Sequence, residues 1–351
     1  MTRSVHFAYP GDLEAKTGGY GYDRQIISQL QKLGWQVNPV PLGDGFPFPS
    51  NETLRQAEET LCVLAKDALV MIDGLAYGTF DRIASRLATK LNLVALVHHP
   101  LASEGNMPPQ KQISLMKSER DALAYAKSVV VTSSATRQQL VSDYDVPLDR
   151  IVVAIPGTER GIRAKRNSEV PQILSVGSLI PRKGHDVLIG ALAKIADLAW
   201  ECKIIGSRTM DVDYDAALQQ QIIDNQLTDR IILAGQVDDT RSELARADIF
   251  ALASRYEGYG MVFAEALSHG LPIIACHAGS VPEVVPSDAG ILVPADDPDA
   301  FADALRLVLK DKELSDQMAE AAYGHGKMLP EWADTAKLIS AALIKAADER
   351  I

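Results

Sequence analysis

Glu257 and Glu265 are separated by seven residues in Ser254-Arg255-Tyr256-Glu257-Gly258-Tyr259-Gly260-Met261-Val262-Phe263-Ala264-Glu265. The apolar run Ile249–Ala253 ahead of them reads as a buried strand, and a helix pattern begins near Met261. A helix start exposes unpaired N–H groups at the positive end of a dipole, which suits a phosphate. A bare carboxylate beside a phosphate is repelled, so two of them flanking such a start need a reason. Hydroxyl-rich groups on both sides of a diphosphate supply one, because each carboxylate accepts from vicinal hydroxyls. A nucleotide sugar has that layout. The plain alternative, for either glutamate alone, is a solvated helix residue and a turn carboxylate.

A second segment, Ser175-Val176-Gly177-Ser178-Leu179-Ile180-Pro181-Arg182-Lys183-Gly184-His185-Asp186, runs from a strand through a tight loop bearing adjacent cations. When a sugar leaves its nucleotide, negative charge grows on the diphosphate. Fixed cations aimed at it stabilise the transition state more than the ground state. Arg182 offers a planar fork and Lys183 a point charge. Alone, such a pair is usually a solvated loop.

Third, the strand-like Leu93–Val97 ends in His98-His99. A strand-end histidine can exchange a proton or hold a sugar hydroxyl, and either ring could do so. No carboxylate or cysteine stands at ligand spacing, so no metal is expected here. Asp211-Val212-Asp213 has the letters of a cation-chelating D-x-D, but it precedes a helix pattern. Lys16-Thr17-Gly18-Gly19-Tyr20-Gly21 opens the first helix with glycines that let backbone N–H groups approach an anion. It is not a dinucleotide fingerprint, because Arg24 occupies the third glycine position and no acidic residue ends the second strand. Gly258-x-Gly260 fails in the same way, with Phe263 in third place.

The Glu257–Glu265 segment resembles the E-x7-E motif of retaining GT-B glycosyltransferases, family 4 (glycosyl transferases group 1) in particular. Gly270–Ala275 and Gly279–Val285 are similar to the same family's C-terminal domain. The resemblance implies that Glu257 contacts the donor sugar and Glu265 the ribose, with Gly258, Tyr259, Gly260, Met261 and Val262 beside them. It implies that Arg182 and Lys183 hold the diphosphate, that His98 rather than His99 is the functional histidine, and that Gly18 and Gly19 shape the phosphate and acceptor end. Gly206 and Val237 fall where relatives contact phosphate and nucleobase. Ser178 departs from the pattern, since many relatives carry a further arginine there. The implied activity is metal-independent, retaining hexosyl transfer without a cofactor, from GDP-mannose or a UDP-hexose as co-substrate to a glycan or lipid-linked acceptor. Bacterial surface polysaccharide or glycolipid synthesis is the implied setting.

The elements that must place these residues alternate. Strand patterns occur at Val5–Pro10, Gln36–Leu42, Leu69–Gly74, Leu93–His98 and Ser128–Thr132, with helix patterns near 21–34, 51–66, 79–91, 110–127 and 134–143. Residues 155–172 are polar and broken by Pro and Gly, which predicts a linker over 158–171. Alternation resumes at 172–177, 202–206, 230–235, 249–253, 272–276 and 290–293, and the chain closes with helices near 298–311, 313–328 and 331–350. The expected fold class is α/β: two doubly wound, Rossmann-like domains facing a cleft. They span 1–157 and 172–330, with the closing helix 331–351 packed back on the first.

Apolar residues make up 47% and charged residues 23% of the 351, an ordinary globular balance. The net charge of −11 is uneven: 15 basic against 16 acidic residues over 1–150, and 20 against 30 over 151–351. An acidic half argues against nucleic acid as a partner. The near-neutral first half leaves room for peripheral contact with a membrane surface. Cys62, Cys202 and Cys276 are scattered and odd in number, which predicts reduced, mostly buried thiols in a cytoplasmic protein. The start shows no signal-peptide pattern, and no apolar run approaches the roughly 20 residues needed to span a bilayer. Oligomeric state leaves no trace. Two other readings share the fold expectation. One is a nucleotide-sugar epimerase or a phosphorylase, the latter needing a pyridoxal-phosphate lysine that cannot be assigned. The other is a non-catalytic nucleotide-sugar-binding subunit.

Overall fold

The computed structural model describes residues 3–105 and 107–348. The chain divides into two compact units, Met1–Gly157 with Pro330–Ile351, and Thr158–Leu329. In the first, strands β1 (Arg3–Tyr9), β2 (Trp35–Pro41), β3 (Leu69–Asp73), β4 (Asn92–Val97), β5 (Ser128–Val131) and β6 (Ile151–Val153) form one parallel sheet. Its order is β2-β1-β3-β4-β5-β6. The near-continuous apolar runs of β3, β4 and β5 are what a strand covered on both faces requires. Burying each such Val, Leu or Ile stabilises by about 1.5–3 kcal/mol.

The second unit repeats the plan with β7 (Gln172–Val176), β8 (Glu201–Ile205), β9 (Ile231–Gly235), β10 (Ile249–Leu252), β11 (Ile273–Cys276) and β12 (Gly290–Val293). They too are parallel, in the order β12-β11-β10-β7-β8-β9. In both sheets the winding reverses beside the unit's first strand, between β1 and β3 and between β7 and β10. Connecting loops diverge at such a switch point and leave a crevice at the carboxyl ends of the strands. The fold is GT-B, an α/β architecture of two such sheets.

The closing helix Trp332–Asp348 belongs to the first unit. Its buried stripe includes Trp332, Ala336, Ile339 and Leu343. Thr335 Oγ1 donates to Ile155 O at 2.7 Å, and Trp35 Nε1 to Ser340 Oγ at 2.9 Å. The last residues of the expected helix, 349–351, lie outside the described residues. No helix among the described residues is long and apolar enough to cross a membrane.

Several expectations are corrected. Two short helices follow β3: Gly74–Tyr77, which was not expected, and Ala84–Ala88, all that forms of the helix expected over 79–91. The Asp73 carboxylate caps Leu75 N at 2.7 Å, so the first begins as soon as β3 ends. β6 was not expected; three residues are too few for a periodic signal. The helix expected near 21–34 starts earlier, with Gly18 and Gly19 in the first turn of helix Gly18–Lys32, capped by Thr17. Of the thiols expected to be mostly buried, Cys202 and Cys276 are buried and Cys62 is exposed at the end of helix Asn51–Cys62. Segment 158–171 has no helix or strand, yet it is tied to the second unit. Ala164 N donates to His269 O at 2.8 Å and Arg166 Nε to Asp248 O at 3.1 Å.

Candidate functional site

In the second unit, the loops after β7 and β10 meet at the switch point and bring Lys183 to Glu257. Lys183 Nζ lies 2.6 Å from Glu257 Oε1, and Arg182 Nη1 lies 3.8 Å from Oε2. Ser254 Oγ donates to the same Oε1 at 2.6 Å. Glu257 is only 5% exposed. Burial alone would push its carboxyl up, but Lys183 and then Arg182 outweigh that and hold it below the usual range. The two cations and the acid are therefore one coupled cluster that keeps a net positive charge.

Backbone geometry holds the two loops together. Arg182 O accepts from Arg255 N at 2.8 Å, and Arg182 Nη1 donates to Tyr256 O at 3.2 Å. Gly184 has φ +64°, and a Cβ there would stand 1.9 Å from Ala253 O. Only glycine allows the cationic loop so close to the end of β10. Gly279, at φ +56°, lies as tightly against Glu257 O, which accepts from Ser280 N at 3.0 Å. Gly206, after β8, lets that strand end pass Gly177 O, where a Cβ would meet the oxygen at 1.9 Å.

Gly258, Tyr259 and Gly260 are buried and lead into helix Met261–Ser268, whose cap, Gly260, is left-handed at φ +90°. Met261 and Val262, half-buried, form its first turn, so backbone N–H groups of that turn lie beside Glu257 in the chain. Glu265 sits on the same helix, half-buried. Burial, the Arg241 cation notwithstanding and with Glu159 adding, pushes its carboxyl up to about 7. Arg241 is itself paired with Glu159 at 2.5 Å. Val237 lies half-buried in the loop after β9.

In the first unit, His98 follows β4 and meets two acids. Its Nε2 lies 3.1 Å from Asp23 Oδ1 and 3.4 Å from Asp73 Oδ2. Asp23 comes from helix Gly18–Lys32, Asp73 from the end of β3. Sequence spacing showed no carboxylate near His98; the switch point supplies two. Burial disfavours the charged ring, but Asp23 and Asp73 together outweigh it and hold its pKa at about 10. Asp23 is driven the other way, to about 7, by burial with Asp73 adding and His98 opposing. The three donor atoms fall within 4.8 Å, a spacing a cation could bridge. His99 instead pairs with Glu104 at 2.7 Å. Gly19 backs onto the His98 ring, and a Cβ there would meet Cδ2 at 3.4 Å. Gly18, exposed, starts the same helix. Asp211 caps helix Val212–Asp224 by accepting from Tyr214 N at 2.9 Å, so the D-x-D letters end in a structural role.

Residues missed by sequence reasoning surround these groups. Arg255, after β10, ties its loop to the ends of two other strands' connections: Nη2 reaches Asp186 Oδ2, after β7, at 2.8 Å and Nε reaches Asp296 Oδ1, after β12, at 2.6 Å. His185 is buried under the cationic loop with Nε2 3.1 Å from Gly177 O, and burial drives its pKa down to about 4. As a neutral ring it donates to that carbonyl. Arg255, Asp186 and His185 all lie inside the motif segments, and that adjacency was the available signal. Asp23 and Asp73 carried none.

Residues 159–325 match the model of Glycosyl transferases group 1. A D-inositol 3-phosphate glycosyltransferase of Nocardioides sp. is 26% identical over 90% of this chain and 78% of its own length. Other proteins of that name are covered over 56–61% of theirs. A GDP-mannose-dependent monoacylated alpha-(1-6)-phosphatidylinositol monomannoside mannosyltransferase of Corynebacterium glutamicum is 29% identical over 74% of this chain and 73% of its own. The sucrose-phosphate synthase structure from Thermosynechococcus elongatus superposes with a TM-score of 0.81 at 20% identity, over 97% of this chain and 98% of that one. The fold and the matched domain define a GT-B transferase. The chain is an enzyme of the glycosyltransferase class.

Proposed function

We propose that the chain transfers a hexose from GDP-mannose or a UDP-hexose to a glycan or lipid-linked acceptor, with retention of configuration and without a metal. The single observation that carries this reading is the buried Lys183–Glu257–Arg182 cluster at a switch point, beside a helix start. In this reading Arg182, Lys183 and the N–H groups of Met261 and Val262 receive the leaving diphosphate. Glu257, released from part of its pairing, accepts from donor hydroxyls, and Glu265 from the ribose. Gly258, Tyr259, Gly206 and Val237 line the nucleotide. In the first unit His98 and the Gly18–Gly19 helix start are assigned to the sugar substrates. Charge developing on the diphosphate then meets preorganised donors rather than water, which lowers the barrier.

The name of the Corynebacterium relative favours the GDP-mannose arm and a lipid-linked acceptor. The near-neutral first half is compatible with work at the inner face of a membrane. A thermal-shift screen of UDP-, GDP- and ADP-sugars tests the donor, since a ligand that binds the folded state raises apparent stability. Product analysis with and without an acceptor, in chelator, tests transfer, anomeric outcome and metal independence. No shift with any nucleotide sugar would remove the donor site. Binding without turnover across a broad acceptor panel would favour a non-catalytic subunit.

A further inference from the structure

Resting on the reading of His98 as a sugar-contacting group, we infer that Asp23 is a positioning residue for it. With Asp73, it holds Nε2 so that Nδ1 meets the substrate as a charged hydrogen-bond donor. Asp23 is fully buried and lies on the Nε2 side of the ring, so it acts through His98 and not on substrate directly.

Geometry makes the case. Both carboxylates converge on one nitrogen, at 3.1 and 3.4 Å. A neutral ring bearing its hydrogen on Nε2 would leave two acids and no positive charge in a buried place, an uncompensated arrangement that is strongly unfavourable. The imidazolium balances one of them and shares its proton with both. Asp73 is already engaged through Oδ1, which accepts from Leu75 N at 2.7 Å. Asp23 has no such backbone donor: its Oδ2 is buried and, among the described residues, without a hydrogen bond, and besides His98 it meets only the Asp73 carboxyl, which opposes its charge. Its charge therefore depends on His98 more than that of Asp73 does.

The ring has little freedom to escape the pairing. Tyr22 packs edge-on at 5.3 Å and 82°, and its hydroxyl is pinned to Ala154 O at 2.9 Å. Trp332 of the closing helix packs on Tyr22 at 5.5 Å, and Thr132, after β5, donates to His98 O at 2.9 Å. The titratable groups bearing on His98 are thus Asp23, Tyr20 and Tyr22 from the first helix and Asp73 from β3. Both tyrosines are pushed up by burial first and remain neutral. With Nε2 taken, the nitrogen left for a ligand is Nδ1. In the imidazolium it donates; in the neutral Nε2–H tautomer it would accept. Asp23 therefore decides which kind of sugar oxygen His98 can hold, one offering a lone pair or growing negative charge.

The test uses the full chain with 15N- and 13C-labelled histidine, followed by NMR from pH 6 to 11, alongside transfer rates over the same range. In the unaltered protein His98 is expected to carry protons on both nitrogens at pH 8. Asp23→Asn should move its titration down by about 1–3 pH units, and the alkaline limb of transfer should move with it. In a His98→Asn background, Asp23→Asn should leave the pH profile unchanged. An unprotonated Nδ1 at pH 8 in the unaltered chain overturns the inference, and this measurement stands even if the variant fails to fold. So does an alkaline limb unmoved by Asp23→Asn, or a His98 signal that shifts on adding Mg2+ or Zn2+, which would mark a cation site. If the NMR shift appears but no donor supports transfer, the charge coupling stands and the transferase reading falls.

Discussion

Replacing Lys183 with alanine separates the structural and chemical duties of the Glu257 cluster. The lysine nitrogen is 2.6 Å from Glu257 Oε1, with side chains 15% and 6% exposed. At an effective dielectric of 20 the gross attraction is about 6 kcal/mol. Breaking a buried pair by removing one partner typically costs about 3–5 kcal/mol, because a charge stays buried without its counter-ion. Arg182 at 3.8 Å and Ser254 at 2.6 Å remain, which places the expected loss near the low end, about 3 kcal/mol at pH 8. The loss should shrink with acid. In the unaltered chain Glu257 is held low, so its contribution is present above the unfolded carboxyl value and fades as pH falls through the folded one. Without Lys183, burial is left less opposed and the carboxyl rises. The variant then gains relative stability as it takes up a proton, and the gap between the two proteins narrows toward pH 5. Urea denaturation at pH 8, 6.5 and 5 measures this. Turnover should fall by about 100- to 1,000-fold if Lys183 stabilises the leaving diphosphate. Transfer within threefold of the unaltered rate, or a stability gap constant over pH, would refute the reasoning.

Other outcomes follow from the same geometry. Gly184→Ala forces an L side chain to φ +64° and a Cβ to 1.9 Å from Ala253 O, so melting should show a loss of more than about 1–2 kcal/mol and transfer should fall with it. Glu265 titrates near 7, raised by burial and Glu159 against Arg241; if its carboxylate accepts from the ribose, nucleotide affinity by calorimetry rises through pH 7, and Glu265→Gln flattens that rise. Because the His98 pKa is raised to about 10, its contribution to stability is complete below its unfolded value near 6.5 and is lost as pH climbs toward 10. His98→Gln should remove that alkaline decline in denaturation experiments. Arg255→Ala unties the Asp186 and Asp296 bridges between the loops; donor affinity should weaken several-fold, with KM rising while the far-ultraviolet circular dichroism spectrum is unchanged.

Much of the molecule is legible locally. Parallel strands covered on both faces read as apolar runs, and helices as three-and-four spacing, because both signals arise from neighbours in the chain. The expected helix over 79–91 shrank to Ala84–Ala88, and an unexpected short helix, Gly74–Tyr77, starts at once after β3 under the Asp73 cap. Residue type predicts mostly buried thiols, as Cys202 and Cys276 are, but does not tell that Cys62, at the end of a helix, is exposed.

The site divides along the same line. By itself, the sequence determined that two glutamates flank a helix start, that adjacent cations follow one strand, and that a histidine ends another. Those are short-range facts of order and spacing. Tertiary structure alone decided that Lys183 and Glu257, 74 residues apart, form one buried pair, and that Asp23 and Asp73 close on His98 across 75 and 25 residues. The physical reason is the switch point. Winding that reverses beside the first strand of each sheet brings the ends of distant strands together, and burial there turns separate side chains into one set of coupled charges.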